Sequence, residues 1–435
     1  MQNIEADYLV IGAGAMGMAF VDTLLTETSE TSARVVMVDR NAAPGGHWNA
    51  AYPFVRLHQP SAFYGVNSLR LGRDTIERTG WNEGLYELAS AEEVLGYYDH
   101  VMRRRLLPTG RVEYFPNSEY LGAGRFVTAG GEQYRVRVAH RVVDATYLGV
   151  TVPAMRPPPY PVAPEVACIP PNDLPGNLGY ERYVIVGAGK TGIDTCLWLL
   201  AQGIDPERLT WIMPRDSWLL DRATMQPGPM FAVRIKAAFI AQLRAIRDAT
   251  SPHDLLIRLE DAGTLLRVQA HQMVLEGGVR RVDDRTLYLD CSADGAEKRP
   301  ATPIFESGRI TLQSVRGCQQ VFSAALTAHV EAAYADDDRK NRLGEALPHP
   351  DTDLDWLRLA RADYANQLRW FDDPELTAWL SECRLDLFGH LVGQLLPPAS
   401  AKPRVRERIL GVATSVLTAT AAKLDQLVEN AVGKT

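Results

Sequence analysis

The sequence predicts an α/β protein made of two strand-turn-helix units, an antiparallel meander and a helical C-terminal region. The first observation is a repeated glycine pattern, Gly12-Ala-Gly14-Ala-Met-Gly17 and Gly187-Ala-Gly189-Lys-Thr-Gly192. The second is its setting: each copy follows a short apolar run, Tyr8 to Ile11 or Tyr183 to Val186, and opens a helix-like stretch. The third is length, since 435 residues exceed what one hydrophobic core normally supports and imply two or three domains.

Composition narrows the class. Hydrophobic residues make up 46% and charged residues 23%, as in ordinary globular proteins. The formal charge is -7, and Arg103-Arg104-Arg105 is short and set among apolar residues, so no nucleic-acid partner is expected. Five cysteines without a Cys-x-x-Cys pair argue against a disulfide framework and against disulfide reductases, and fit a reduced cytoplasmic setting. Residues 8 to 25 are apolar, but the N-terminus lacks the positive charge of a signal peptide and glycines interrupt the run. No other stretch is long and apolar enough to cross a bilayer, so no membrane partner is expected. The nine His show no zinc-site spacing, so no metal is expected, and no Gly-x-Ser-x-Gly elbow occurs.

In chain order the pattern gives a strand at 7–11, a helix at 15–26 and a strand Val35 to Val38 ending at Asp39-Arg40. Residues 41–70 mix Gly, Pro and aromatics without a period, as loops folded over a ligand often do. Alternating segments Tyr134 to Val138 and Arg141 to Val143 predict the meander within 119–146. The proline-crowded run Val152 to Pro175 reads as a linker. A second unit starts at Glu181, with its second strand at Leu209 to Met213. Ile235, Phe239, Leu243 and Ile246 mark an amphipathic helix over 231–249, expected as an insertion packed on the second domain. Strands at Thr286 to Leu289 and Arg309 to Leu312 precede a helix at 319–335, and 351–432 is expected to be mostly helical. Ile409, Val412, Val416, Leu424 and Leu427 share one face of the last helix, a cap or a homo-oligomer contact. The domains expected are 1–150 and, returning, 286–340 for the first unit, 151–180 as linker, 181–285 for the second, and 341–435 as a helical region.

The glycine pattern carries the chemistry. In a strand-turn-helix unit the first Gly allows the tight turn, the second lets a pyrophosphate approach the backbone, and the third lets helix and strand pack closely. The helix N-terminus offers N–H groups and partial positive charge to phosphates. Gly12, Gly14 and Gly17 have the matching acid, Asp39, followed by Arg40, at the end of the second strand, where an acid can hydrogen-bond an adenosine ribose. The polar loop at 26–32 explains why Asp39 lies further along than the usual ~20 residues. Gly187, Gly189, Lys190, Thr191 and Gly192 lack such an acid; Arg215 stands there and can pair with a 2′-phosphate, or is a solvated loop residue beside Asp216. Two Rossmann-like dinucleotide-binding domains follow, with FAD expected in the first and NADPH in the second.

Gly45-Gly46-His47-Trp48 followed by Tyr52-Pro53 resembles the GGxW…YP segment of flavin-dependent monooxygenases. Val142-Val-Asp-Ala-Thr146 and Leu287 to Gly295 resemble the return strands of such two-nucleotide flavoproteins. The resemblance covers residues 5–335 and implies FAD on the N-terminal loop, NADPH on the second, and a Gly46-His47-Trp48 loop beside the flavin. The family fingerprint FxGxxxHxxx[YF] has no counterpart in residues 163–182, which contain no His.

His58, Gln59 and Asn67 lie in a polar and aromatic segment suited to stacking a flat ring and hydrogen-bonding its edges, with His58 and Asn67 as the catalytic candidates. His47 either titrates or only shapes the loop at Trp48, and Gln313 precedes a helix whose N-terminus is placed to face the flavin. The expected activity is an NADPH-dependent FAD oxidoreductase using O2 on a small organic substrate. Alternatives are a reductase or dehydrogenase without oxygen insertion, and a non-catalytic redox sensor.

Overall fold

The computed structural model describes residues 1–226, 228, 230–269, 284–293, 295–317, 319–387 and 403–432. Its larger sheet has the order β15 (Phe305–Glu306), β16 (Arg309–Thr311), β8 (Gln133–Asp144), β1 (Gln2–Ile11), β2 (Val35–Val38) and β5 (Val112–Phe115). From β16 to β5 neighbouring strands are parallel. All four residues of β2 are buried, as expected where both faces of a parallel sheet are covered. Tyr8, Val10, Val35 and Met37 share one core with α1 (Ala15–Glu27), α2 (Ala91–Val101) and α6 (Gln320–Ala333). The alternate residues Leu9, Val36 and Val38 pack under Phe126 and Val136 on the opposite face.

The meander supplies that second cover. β6 (Ser118–Gly122) and β7 (Arg125–Thr128) form an antiparallel pair, and β7 pairs antiparallel with the start of β8. Phe126 stacks on Tyr134 at 4.9 Å, and the Phe115 ring lies 4.8 and 5.1 Å from the two, closing an aromatic cluster. Tyr134–Val138 and Arg141–Val143 belong to one strand, β8, parallel to β1, and the expected separation between them is a register shift at Ala139-His140, opposite Asp7. Its first half takes β7 and its second half takes β16 on the same edge, so one strand serves two neighbours.

The smaller sheet has the parallel order β11 (Leu209–Ile212), β10 (Arg182–Val186), β14 (Thr286–Asp290) and β9 (Cys168–Ile169). Here α3 (Lys190–Ala201) packs through Leu199 against Tyr183, Ile185, Leu287 and Leu289. β9 comes from the proline-rich run, which also buries Leu174 and Val166 in the two cores of this sheet. That segment is therefore part of the second sheet as well as a connection.

The amphipathic helix is α4 (Ala232–Asp248), but it does not pack on the second sheet. Ala245 and Ile246 join Leu255 of α5 (Pro252–Asp261), Leu357 and Tyr364 of α8 (Asp353–Phe371), and Leu417, Leu424 and Leu427 of α10 (Pro403–Val432) in a separate helical core. Ile235 and Ile246 of the apolar stripe are buried, whereas Phe239 between them stays exposed. The expected face of α10 divides in the same way: Leu424 and Leu427 are buried, while Ile409, Val412 and Val416 are at the surface. α7 (Asp337–Leu343), α9 (Pro374–Glu382) and the hairpins β3 (Gly65–Val66)/β4 (Leu69–Arg70) and β12 (Ser217–Leu220)/β13 (Leu265–Val268) complete the described elements. Cys318, Asp294 of the second return segment, and the helical expectation over 388–402 lie outside the described residues. Among the described residues no helix is long and apolar enough to cross a membrane, and no group of side chains has metal-ligand geometry.

Candidate functional site

The first glycine loop joins β1 to α1. Gly12 has φ +100, a backbone region that side chains disfavour. A Cβ on Gly17 would lie 2.0 Å from the Gly12 carbonyl oxygen, so only Gly lets helix and loop meet there. Gly14 lies against Gly46: a Cβ on Gly46 would stand 3.0 Å from the Gly14 Cα. Gly45 N–H donates to the Ala13 carbonyl at 2.9 Å, which fastens the GGHW segment over the loop. At the start of α1 no side chain caps the helix and no acid stands in the first turn, leaving N–H groups and positive charge for an anion.

Asp39 is buried at the end of β2 and faces this loop. One carboxylate oxygen accepts from Ala13 N–H at 2.5 Å, and the other from Asn41 N–H and Nδ2 at 2.7 and 2.9 Å. Arg40 points to solvent. The cradle thus has the backbone shape and the acid that a dinucleotide requires, and its residues fit that group.

The segment after Gly46 folds into short turns. Trp48 Nε1 donates to the Tyr64 hydroxyl at 2.8 Å. His47 stacks on Trp48, and burial pushes its imidazole down to about 4. Gln59 Nε2 donates to the Phe63 carbonyl at 3.2 Å, so its amide shapes its own loop.

Asn67 and Gln313 are engaged elsewhere. The Asn67 side-chain oxygen accepts from Arg384 N–H at 3.1 Å, tying the β3–β4 hairpin to the end of α9. The Arg384 guanidinium donates to the carbonyls of Ala62, Tyr64, Val66 and Leu69 and holds the same hairpin. Gln313 is buried with both ends of its amide on Thr302, accepting from its N–H at 3.1 Å and donating to its carbonyl at 2.9 Å. These bonds give both residues a structural task.

The second loop joins β10 to α3. Gly187 has φ +134, and a Cβ there would sit 2.4 Å from the Cys291 carbonyl. A Cβ on Gly192 would meet the Gly187 carbonyl at 2.4 Å, repeating the constraint at Gly17. Around Gly189 the space is open, with nothing within 4 Å of an added Cβ. As at α1, no side chain caps α3 and its first turn has no acid. The shape again fits a pyrophosphate approaching the backbone.

One stretch of chain links the two loops. The Tyr52 hydroxyl donates to Asp194 Oδ2 at 2.8 Å; burial and the Asp194 charge raise its pKa well above the usual phenol range, and a bond to the Thr191 side chain opposes them. Lys190 pairs with the same Asp194 oxygen. Phe54 stacks on Trp198 of α3 at 4.8 Å, and Asn172 Nδ2 donates to the Ala50 carbonyl at 3.0 Å. His58 is exposed at the surface; the protein packed around it and Lys190 lower its pKa, with Arg222 adding to them and Asp194 opposing. Arg222 pairs with Asn82 and donates to the Tyr86 carbonyl at 3.0 Å, a second crossing between the segments.

Beyond β11, Arg215 is exposed, with no ion pair among the described residues. Its neighbour Asp216 pairs with Arg267 at 2.6 Å. The acid next to Arg215 is therefore neutralised by a second cation, which favours an anion at this edge. Asp194, Phe54 and Trp198 escaped the sequence reading. The i,i+4 spacing of Lys190 and Asp194 was visible as an ion pair, but nothing local to it pointed to Tyr52.

No family model matches the chain. The uncharacterized protein Rv2000 of Mycobacterium tuberculosis and the uncharacterized protein Mb2023 of Mycobacterium bovis are each 53% identical to it over 471 aligned positions, covering 100% of this chain and 86% of theirs. The chain belongs to the family of these mycobacterial proteins. Among solved structures this family member is similar to Tmm from Pelagibacter, at 11% identity and TM-score 0.47 over 89% of this chain and 90% of that one. It is similar to cyclohexanone monooxygenase in an open form, at 16% identity and TM-score 0.43 over 75% and 88%. A flavin-containing monooxygenase from Stenotrophomonas maltophilia gives 17% identity and TM-score 0.41 over 76% and 98%.

Proposed function

We propose that the protein is an FAD- and NADPH-dependent oxidoreductase that uses O2 to oxygenate a small organic substrate. The observation that carries this reading is the pair of glycine cradles, unequal in charge and joined by one segment, residues 50–58, that touches the helix of the second. When bound, FAD accepts hydride from NADPH and passes electrons to O2.

Gly12, Gly14 and Gly17 with the start of α1 would hold the FAD pyrophosphate, and Asp39 its ribose. Gly46, His47 and Trp48 would line the flavin side, where a neutral His47 adds no charge against the ring. Gly187, Gly189, Lys190, Thr191 and Gly192 would take the NADPH pyrophosphate, and Arg215 its 2′-phosphate. Tyr52 and Phe54 exclude water from one side of the cleft, and His58, held neutral near pH 7, can accept a proton there. The assignment of residues 1–150 and 286–340 to the FAD unit and 181–285 to the NADPH unit belongs to this proposal, as does a cytoplasmic setting.

A second reading is a reductase that does not insert oxygen. Residues 163–182, which lack the fingerprint His, instead place β9 in the second sheet and Leu174 in its core. Anaerobic reduction decides between the proposals. Purified protein should be yellow, lose that colour with NADPH faster than with NADH, and yield oxygenated product on admission of air. Colourless protein that cannot be reconstituted with FAD overturns the oxidoreductase reading; rapid reoxidation without oxygenated product overturns oxygen insertion alone.

A further inference from the structure

The polar chain Lys190–Asp194–Tyr52 crosses from the second glycine loop to the segment beside the first. Lys190 is the first residue of α3, next to the open space at Gly189. Its ammonium is nevertheless turned along the helix onto Asp194, one turn further on. The same carboxylate oxygen accepts from the Tyr52 hydroxyl at 2.8 Å. Lys190 and Asp194 are both partly open to solvent, so the pair can exchange partners, whereas Tyr52 is buried.

We propose that Asp194 is a positioning residue that holds Lys190 in reserve and couples nucleotide loading at Gly189 to the segment carrying Tyr52. This rests on the reading of the second loop as a dinucleotide site and adds its regulation. A pyrophosphate seated above Gly189 offers more negative charge to the ammonium than one carboxylate, and the helix N–H groups bring it within reach. Lys190 then leaves Asp194 for the phosphate. Asp194, relieved of its counter-ion, remains a full acceptor for the Tyr52 hydroxyl, and that charge-assisted bond strengthens. The cradle of one loop is thereby connected to the cover of the other through a single carboxylate, with no change of backbone required.

The sign of the effect sets this apart from a merely structural role. Asp194→Asn keeps an oxygen for Tyr52 but releases Lys190, so NADP+ should bind about threefold tighter than to the wild type at low salt, by titration calorimetry. Lys190→Ala should weaken NADP+ binding about tenfold. Adding Asp194→Asn to Lys190→Ala should give no further gain, and all three variants should keep the circular dichroism spectrum of the wild type. Asp194→Asn that binds NADP+ equally or more weakly, or a gain that survives in the Lys190→Ala background, overturns the coupling while leaving the nucleotide reading intact. Wild-type protein that binds neither NADP+ nor inorganic pyrophosphate overturns both.

Discussion

The two glycine loops share a backbone and differ in what surrounds it. Over the first, Gly46 lies against Gly14, Gly45 bonds Ala13, and a buried Asp39 holds the Ala13 N–H. Over the second, the space at Gly189 is open, its lysine is drawn aside to Asp194, and an exposed Arg215 waits at the strand end. A closed cradle with an internal acid suits a nucleotide that stays through many turnovers. An open cradle with a mobile cation suits one that arrives and departs each cycle. Under the proposed function, the same turn would serve residence or exchange according to the side chains placed around it.

The strongest way to break the contrast is to add one methyl group to each loop. Gly46→Ala, at φ +60 in the cover of the first loop, brings its Cβ to 3.0 Å from the Gly14 Cα and should destabilise the protein by about 3 kcal/mol, read as a lowered thermal midpoint. Gly189→Ala meets nothing and should stay within about 0.5 kcal/mol of the wild type, while NADP+ binding weakens. Equal destabilisation of the two variants would dissolve the distinction.

A smaller test uses pH. Burial holds His47 at about 4 on the closed loop, so the unfolded chain takes up this proton first, near pH 6.5. Its contribution is complete above that pH and is lost as pH falls toward 4, for at most about 3 kcal/mol. His47→Gln should flatten the acid limb of a plot of thermal midpoint against pH; an unchanged limb would mean the imidazole is solvated. The smallest effect concerns the open loop. Arg215→Ala should raise the KM for NADPH about tenfold and leave NADH unchanged, and a matching rise for NADH would remove the 2′-phosphate contact.

What the sequence made legible was local. Both glycine loops, the strands on either side of them and Asp39 are short-range patterns whose physical reasons act within one strand-turn-helix unit. The rest depends on partners far along the chain. Asn67 looked like a pocket group, but Arg384 claims its oxygen; Gln313 looked able to face a ligand, but Thr302 uses both ends of its amide. Helix α4 shows the same limit. Its period gave the helix and its apolar stripe, yet the period cannot name the surface opposite, which is the C-terminal helical core. Tyr52 and Asp194 are distant in sequence, and their meeting is a product of tertiary packing alone.

The strand borrowed from the proline-rich run has a practical consequence. β9 flanks β14, and the Tyr288 N–H donates to the Ala167 carbonyl at 2.8 Å. An expression fragment beginning at Glu181 would keep the second glycine loop but strip β14 of that neighbour. The bared edge is a template for pairing with other chains, so such a truncation should aggregate, whereas one that starts before Val166 retains its own guard strand.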